Sequence, residues 1–380
     1  MFKFGIENID EHLSLFANKR VGLITNPTGV TKDFTTTIDV LSKKTNLVAL
    51  FSPEHGVRGD LQAGVKLDSY QDLETGCQVY SLYGEHRKPT KDMMDTIDIL
   101  CYDIQDVGAR YYTFVYTMAY AMMACKEFDK EFVVFDRPNP VGGIDVEGNI
   151  LDIKFRSFVG YYPLPQRYGL TLGELSMMFN QEFEIGCKLH VIQMKDWKRK
   201  NHYQDLNLHW ILPSPNIPTT DTLYAYLTTC YFEGTNVSEG RGTTKPFSVF
   251  GAPWLDADLL MNALKKRNLK GVTFRKIFFT PMFSKHQNIL CQGIELFVTD
   301  VHQYQPVSTG YTILYLVRDL FPEFKFLDPY KPGGNPMIDL LTGDDHVRTK
   351  RLSLEESLER IQKDSIAFKA KKERYHLYEI

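Results

Sequence analysis

The sequence predicts an α/β protein: a Rossmann-like, doubly wound, mostly parallel sheet followed by a second, smaller α/β or α+β domain. Three observations lead there. At 380 residues the chain exceeds the length of about 250 to 300 at which one hydrophobic core stops growing. The first part repeats one pattern, a short β-rich apolar run, a polar tip and then a helical segment. The runs are continuously apolar rather than alternating, as in parallel strands covered by helices on both faces.

Four runs carry the pattern: residues 21–25 in RVGLITNPTGV, 47–51 in NLVALFSPEHG, 97–102 in TIDILCYDIQDVG and 132–135 in EFVVFDRPNP. Helices are predicted between and after them over 36–44, 91–95 and 113–128, the last apolar all round. In YYPLPQRYGLTLGEL, Thr171 and Glu174 have the spacing of a capping box ahead of a further helix. The proline-rich passage 211–222 predicts ordered loop. Beyond it, helices are predicted over 256–267, 309–321 and from 354 toward 375, with strands over 272–279 and 293–299. The domain change is expected between residues 141 and 160, giving domains of about 1–150 and 151–380.

Composition narrows the function. Apolar residues make up 43% of the chain, enough to build a large interior, so disorder is excluded. A formal charge of -3 gives no general attraction to nucleic acid or anionic lipid, so an anionic ligand must be met by local Arg and Lys. The six cysteines are scattered without C-x-x-C pairs and read as buried free thiols, and the dispersed histidines form no zinc spacing. Neither a metal nor a cofactor is expected. No stretch reaches the roughly 20 apolar residues of a membrane span. The opening residues lack the basic start and apolar run of a secretory signal, so a cytoplasmic location is expected, or a periplasmic or secreted one if a leader has been removed.

Ligands of such sheets sit beyond the carboxyl ends of the strands, where strand-to-helix loops converge. The tips there hold Asn26, Glu54, His55, Asp103, Gln105, Asp106, Asp136, Arg137 and Asn139. In SPEHG, Pro53 and Gly56 fix an elbow from which Glu54 would protonate a leaving oxygen with His55 beside it, although both equally suit a loop that satisfies its own amides. After the third run, Arg110 suits a carboxylate and Tyr111 a sugar ring; internal pairing of Arg110 with Asp106 or Asp136 is the alternative. Asp136 and Arg137 are either ligand groups or an internal salt bridge. The glycine-rich block GTNVSEGRGTTKPF holds Asn236, Glu239 and Arg241 but matches no phosphate-binding pattern, so it reads as a polar loop offered to sugar hydroxyls, or one packed for structure.

Taken together, GLITNPTGV, LFSPEHGVRG, YDIQDVGARYYT, DRPNPVGG, PLPQRYGLTLGEL, SPNIPTTDT, GTNVSEGRGTTKPF, FGAPW and CQGIELFVTD resemble the successive signature blocks of the NamZ-like family, long regarded as a domain of unknown function. The resemblance runs in order over nearly the whole chain. It implies an exo-acting glycosidase, without a cofactor, that releases N-acetylmuramic acid from the non-reducing end of peptidoglycan fragments, its active site in a cleft between the Rossmann-like domain and the smaller one. It also implies that Glu54 is the main catalytic carboxylate, with His55 its neighbour. Asp106, Asp136 or Glu239 would complete a carboxylate pair, unless the acetamido group of the substrate acts as internal nucleophile. Asn26, Arg110, Tyr111, Arg137, Asn236 and Arg241 complete the expected substrate-binding set. Two rivals remain at this stage: a nucleotide- or flavin-dependent enzyme suggested by topology alone, and a muramyl-sugar-binding protein without turnover. Oligomeric state is left open.

Overall fold

The computed structural model describes residues 1–53, 56–58, 69–83 and 86–380, so Glu54 and His55 lie outside the described residues. After a 3-10 segment, Gly5–Phe16, the chain enters β1 (Arg20–Thr25), α1 (Thr37–Lys44), β2 (Asn46–Ser52), β3 (Tyr70–Gln71), β4 (Gln78–Ser81) and α2 (Lys91–Met94). It continues through β5 (Ile99–Asp103), α3 (Phe114–Glu127), β6 (Glu131–Phe135), α4 (Leu172–Glu182) and β7 (Lys188–Ile192). These strands form one sheet in the order β3-β4-β2-β1-β5-β6-β7, parallel except for the β3–β4 pair. The order reverses between β1 and β5, which places a switch-point crevice beyond Thr25 and Asp103.

Alternation along each strand explains why the runs are apolar throughout. Leu23, Leu50, Ile99, Cys101, Val133 and Phe135 turn to one face, covered by the 3-10 segment and α1. Ile24, Phe51, Leu100, Tyr102, Phe132 and Val134 turn to the other, covered by α3 and α4. A strand buried on both sides has no position for a polar residue, so polarity collects at the strand ends. The helix starts are capped locally: Thr36 Oγ1 accepts from Asp39 N, and Thr171 with Glu174 forms the expected capping box.

The second part comprises α5 (Thr220–Thr229), β8 (Val249–Ala252), α6 (Ala257–Lys265), β9 (Val272–Phe279), β10 (Cys291–Val298), α7 (Pro306–Leu320), α8 (Met337–Thr342), α9 (His346–Thr349) and α10 (Leu354–Lys372). Its three strands form an antiparallel sheet in the order β8-β10-β9. The core of this part is continuous with the α3/α4 side of the large sheet. Glu147 ties the parts together by accepting from Val307 N and Ser308 N at the start of α7; burial raises its pKa from the ordinary carboxylate value. All six cysteines are buried, which pushes thiols such as Cys291 up, to about 11.

Candidate active site

The loops that follow β1, β5 and β6 meet at one rim. Asn26 turns back on itself, its Oδ1 accepting from Thr28 N at 3.0 Å, while its buried Nδ2 has no partner among the described residues. Thr28 Oγ1 in turn accepts from Gln105 N at 2.8 Å, stitching the β1 loop to the β5 loop across the switch point. Gln105 Nε2 donates to Asp106 O and Pro138 O, both at 2.9 Å, and its Oε1 has no partner among the described residues. Gln105 also borders a cavity of about 20 Å³ between the β1 and β6 loops, room for one water.

Asp106 stands at the end of β5. Its Oδ2 accepts from Gly108 N at 2.7 Å and from the Tyr168 hydroxyl, whereas among the described residues Oδ1 has no partner. Burial outweighs these bonds and raises its pKa to about 6. The turn behind it requires glycine: Gly108 has φ 76°, and a Cβ there would come within 2.5 Å of Asn139 Oδ1.

Asp136, at the end of β6, is more fully engaged. It accepts from Arg137 N, Gly173 N, Thr171 Oγ1 and the Tyr378 hydroxyl, at 2.5 to 2.9 Å. Burial still pushes its pKa up to about 7. Arg137 makes the internal salt bridge that was one of its two sequence readings. Its Nε and Nη2 reach Asp103 at 2.5 and 2.9 Å, and Nη2 also donates to Val30 O.

Arg110 and Tyr111 do not reach the rim. Arg110 is 0% exposed and Tyr111 2%. The Arg110 guanidinium donates to the carbonyls of Leu164 and Leu341, and the Tyr111 hydroxyl to Leu227 O. The sequence expected a carboxylate clamp and a stacking platform here; in the structure both side chains sit in the seam between the two parts, away from solvent. Asn236 is likewise occupied, its side chain bridging Glu323 O and Lys325 N. Glu239 is buried between Lys285 at 2.7 Å and Arg241 at 3.5 Å, and Arg241 also pairs with Glu233 at 2.6 Å. Rings connect this loop to the β5 loop: Tyr112 meets Tyr226 edge-on, Tyr226 meets Phe247, and Arg241 lies over Phe247.

Of the sequence candidates, the structure therefore gathers Asn26, Asp106, Asp136 and Arg137 at the rim and sets Asn236, Glu239 and Arg241 in a separate loop. It adds Tyr168 and Thr28, which hold Asp106 and Gln105. Tyr168 lies in a quoted block, but its pairing across 62 residues leaves no trace in local pattern. Among the described residues, no group of three or more His, Cys, Asp or Glu is placed to hold a metal ion, and no helix is long and apolar enough to cross a membrane.

Comparison with known proteins decides the family. Residues 21–221 match the family model for the N-terminal part of exo-β-N-acetylmuramidase NamZ, and residues 224–378 the model for its C-terminal part. The chain belongs to the NamZ family. Within that family it is 48% identical over 366 residues to the peptidoglycan β-N-acetylmuramidase NamZ of Bacillus subtilis, covering 95% of this chain and 87% of that one. Two crystal structures of DUF1343 family proteins from Bacteroides fragilis share the fold across 100% of this chain and 99% of theirs. One has a TM-score of 0.90 at 39% identity, the other 0.78 at 33%. Membership of the NamZ family makes the chain a glycosidase, and the rim beyond the parallel strands is its candidate active site.

Proposed function

We propose that the chain releases N-acetylmuramic acid from the non-reducing end of peptidoglycan fragments, with Glu54 as the main catalytic carboxylate and His55 beside it. The observation that carries this reading is positional. The SPEHG segment begins at Ser52, the last residue of β2, and β2 lies next to β1, which brings Asn26, with β5, which brings Asp106, on the other side of β1. Glycoside cleavage needs a proton for the leaving oxygen and a second group for the oxocarbenium-like centre.

For the second group we favour Asp106. The other two candidates are spent: Asp136 accepts four donors, and Glu239 is ion-paired on both sides. Among the described residues, Asp106 Oδ1 has neither a hydrogen-bond nor an ion-pair partner, and burial raises the pKa of this carboxyl to about 6. A carboxylate so placed is suited to accept the acetamido N–H of the sugar and orient that group as internal nucleophile, or to activate water directly.

Turnover of a chromogenic N-acetylmuramide tests the reading. Glu54→Gln should lower kcat by about 10²- to 10⁴-fold, the usual worth of a positioned general acid. Wild-type turnover by this variant would remove Glu54 from its role. Asp106→Asn should lose activity without losing the fold, because Tyr168 and Gly108 N keep an acceptor.

A further inference from the structure

Each arginine that the sequence offered for an anionic ligand is held internally, Arg110 by carbonyls, Arg137 by Asp103 and Arg241 by Glu233. The same is true of exposed arginines elsewhere, such as Arg20 on Asp98, Arg275 on Glu295 and Arg351 on Asp345. Arg87 and Arg156 differ. Both are exposed, and among the described residues neither guanidinium has a hydrogen-bond or ion-pair partner.

The two share one aromatic patch. Arg87 lies 4.1 Å over the Phe158 ring and Arg156 4.7 Å over the Tyr161 ring. Both rings pack on Tyr120 of α3: Phe158 stacks almost parallel at 6.2 Å, and Tyr161 meets it edge-on at 5.2 Å. All three rings are half-buried. Acidic groups of the flanking segments are engaged elsewhere, Glu127 with Lys88 and Asp152 with Lys154 N. Stacking holds each guanidinium extended on a ring, with its N–H groups free for an oxyanion.

The position relative to the rim follows from α3. Tyr120 lies six residues after Phe114, about 9 Å along the helix axis from its rim end, a distance that an oligosaccharide spans. A ligand that uses the whole patch must offer both flat apolar faces and separated carboxylates. A peptide-free peptidoglycan glycan strand offers both, pyranose faces for the rings and a free lactyl carboxylate on every muramyl unit.

We propose that Arg87, Arg156, Phe158 and Tyr161 form a secondary binding surface for peptide-free glycan strands, remote from the bond that is cut. The proposal rests on the muramidase reading, and its test separates the two. Equilibrium binding of peptide-free strands to the full-length Glu54→Gln protein requires no turnover. Adding Arg87→Gln and Arg156→Gln together should weaken strand binding about tenfold and flatten its salt dependence, as loss of two screened charge contacts requires. In the otherwise wild-type protein, the same pair should leave turnover of the single-sugar chromogenic substrate within about twofold while raising KM for long strands. Phe158→Leu should weaken the binding of strands while preserving the salt dependence. The proposal fails if the double variant binds strands as tightly as its parent. It also fails if strands whose lactyl groups are capped by peptide, with no free lactyl carboxylate, lose affinity to the same degree, since the recognised anion would then belong to the peptide.

Discussion

Replacing Arg137 by Met separates an internal role from a ligand-binding one. The guanidinium and Asp103 are 2% and 0% exposed and bonded in two places. Removing one member of a buried pair strands the other charge, at a cost of about 3 to 5 kcal/mol. The Thr37 hydroxyl still donates to Asp103, which favours the lower end of that range. With an unfolding entropy of about 2.1 cal/mol/K per residue, 380 residues give roughly 0.8 kcal/mol/K, so the melting temperature should fall by about 4 to 6 °C. Calorimetry measures this directly. Adding Asp103→Leu should recover much of the loss, because a fully apolar pair leaves no unpaired charge. At a temperature where both proteins are folded, kcat/KM on the chromogenic substrate should stay within about threefold of wild type. An unchanged melting temperature combined with collapsed turnover would refute the internal assignment and return Arg137 to the substrate.

Two further expectations concern pH. The pKa of Asp136 is raised by burial to about 7, so the folded form keeps a proton that the unfolded chain gives up near pH 4. Stability should therefore fall as pH rises from about 4 to about 7, by up to about 1.4 kcal/mol per unit, and Asp136→Asn should flatten that part of a denaturation series. Lys372 has the opposite sign. Its ammonium is buried against Gly143 O and Gly169 O, and burial lowers its pKa to about 7, so stability should increase as pH rises from about 7 toward 10.5. Lys372→Met should abolish that rise; a rise of unchanged slope would assign it to another group.

Much of this architecture was legible because parallel strands buried on both faces leave an unmistakable pattern. Residues 21–25, 47–51 and 132–135 fall within β1, β2 and β6, and α3 falls within the expected 113–128. The elements that escaped are those whose local pattern is weak. β7, KLHVI, is exposed or half-exposed at four of its five positions, and β8 has only four residues. The twelve-residue 3-10 segment at Gly5–Phe16 does carry Ile6, Ile9, Leu13 and Phe16 at helical spacing, a signal not read there. At the rim, position could be read but pairing could not. That Asn26 and Asp106 would stand at strand ends followed from the pattern of runs. That Asp136 would be saturated by Thr171, Gly173 and Tyr378 depended on contacts across 35 to 242 residues. Arginine illustrates the same limit in reverse. Arg110 and Arg156 are equally cationic in the sequence, and only the folded chain distinguishes the guanidinium sealed among carbonyls from the one resting on an aromatic face in water.

Residues 372–379 return to the large sheet and close it. Lys372 plugs a gap between Gly143 and Gly169, Leu377 N caps the Glu174 carboxylate, Arg199 N donates to Glu379 O, and the Tyr378 hydroxyl meets Asp136 at the foot of α4. The large sheet, built from residues before 193, is thus closed by a segment some 180 residues further along the chain. Removing that segment would take one donor each from Asp136 and Glu174 and uncover the gap that Lys372 fills, so the two halves of the chain are held to one another by contacts of very long sequence separation.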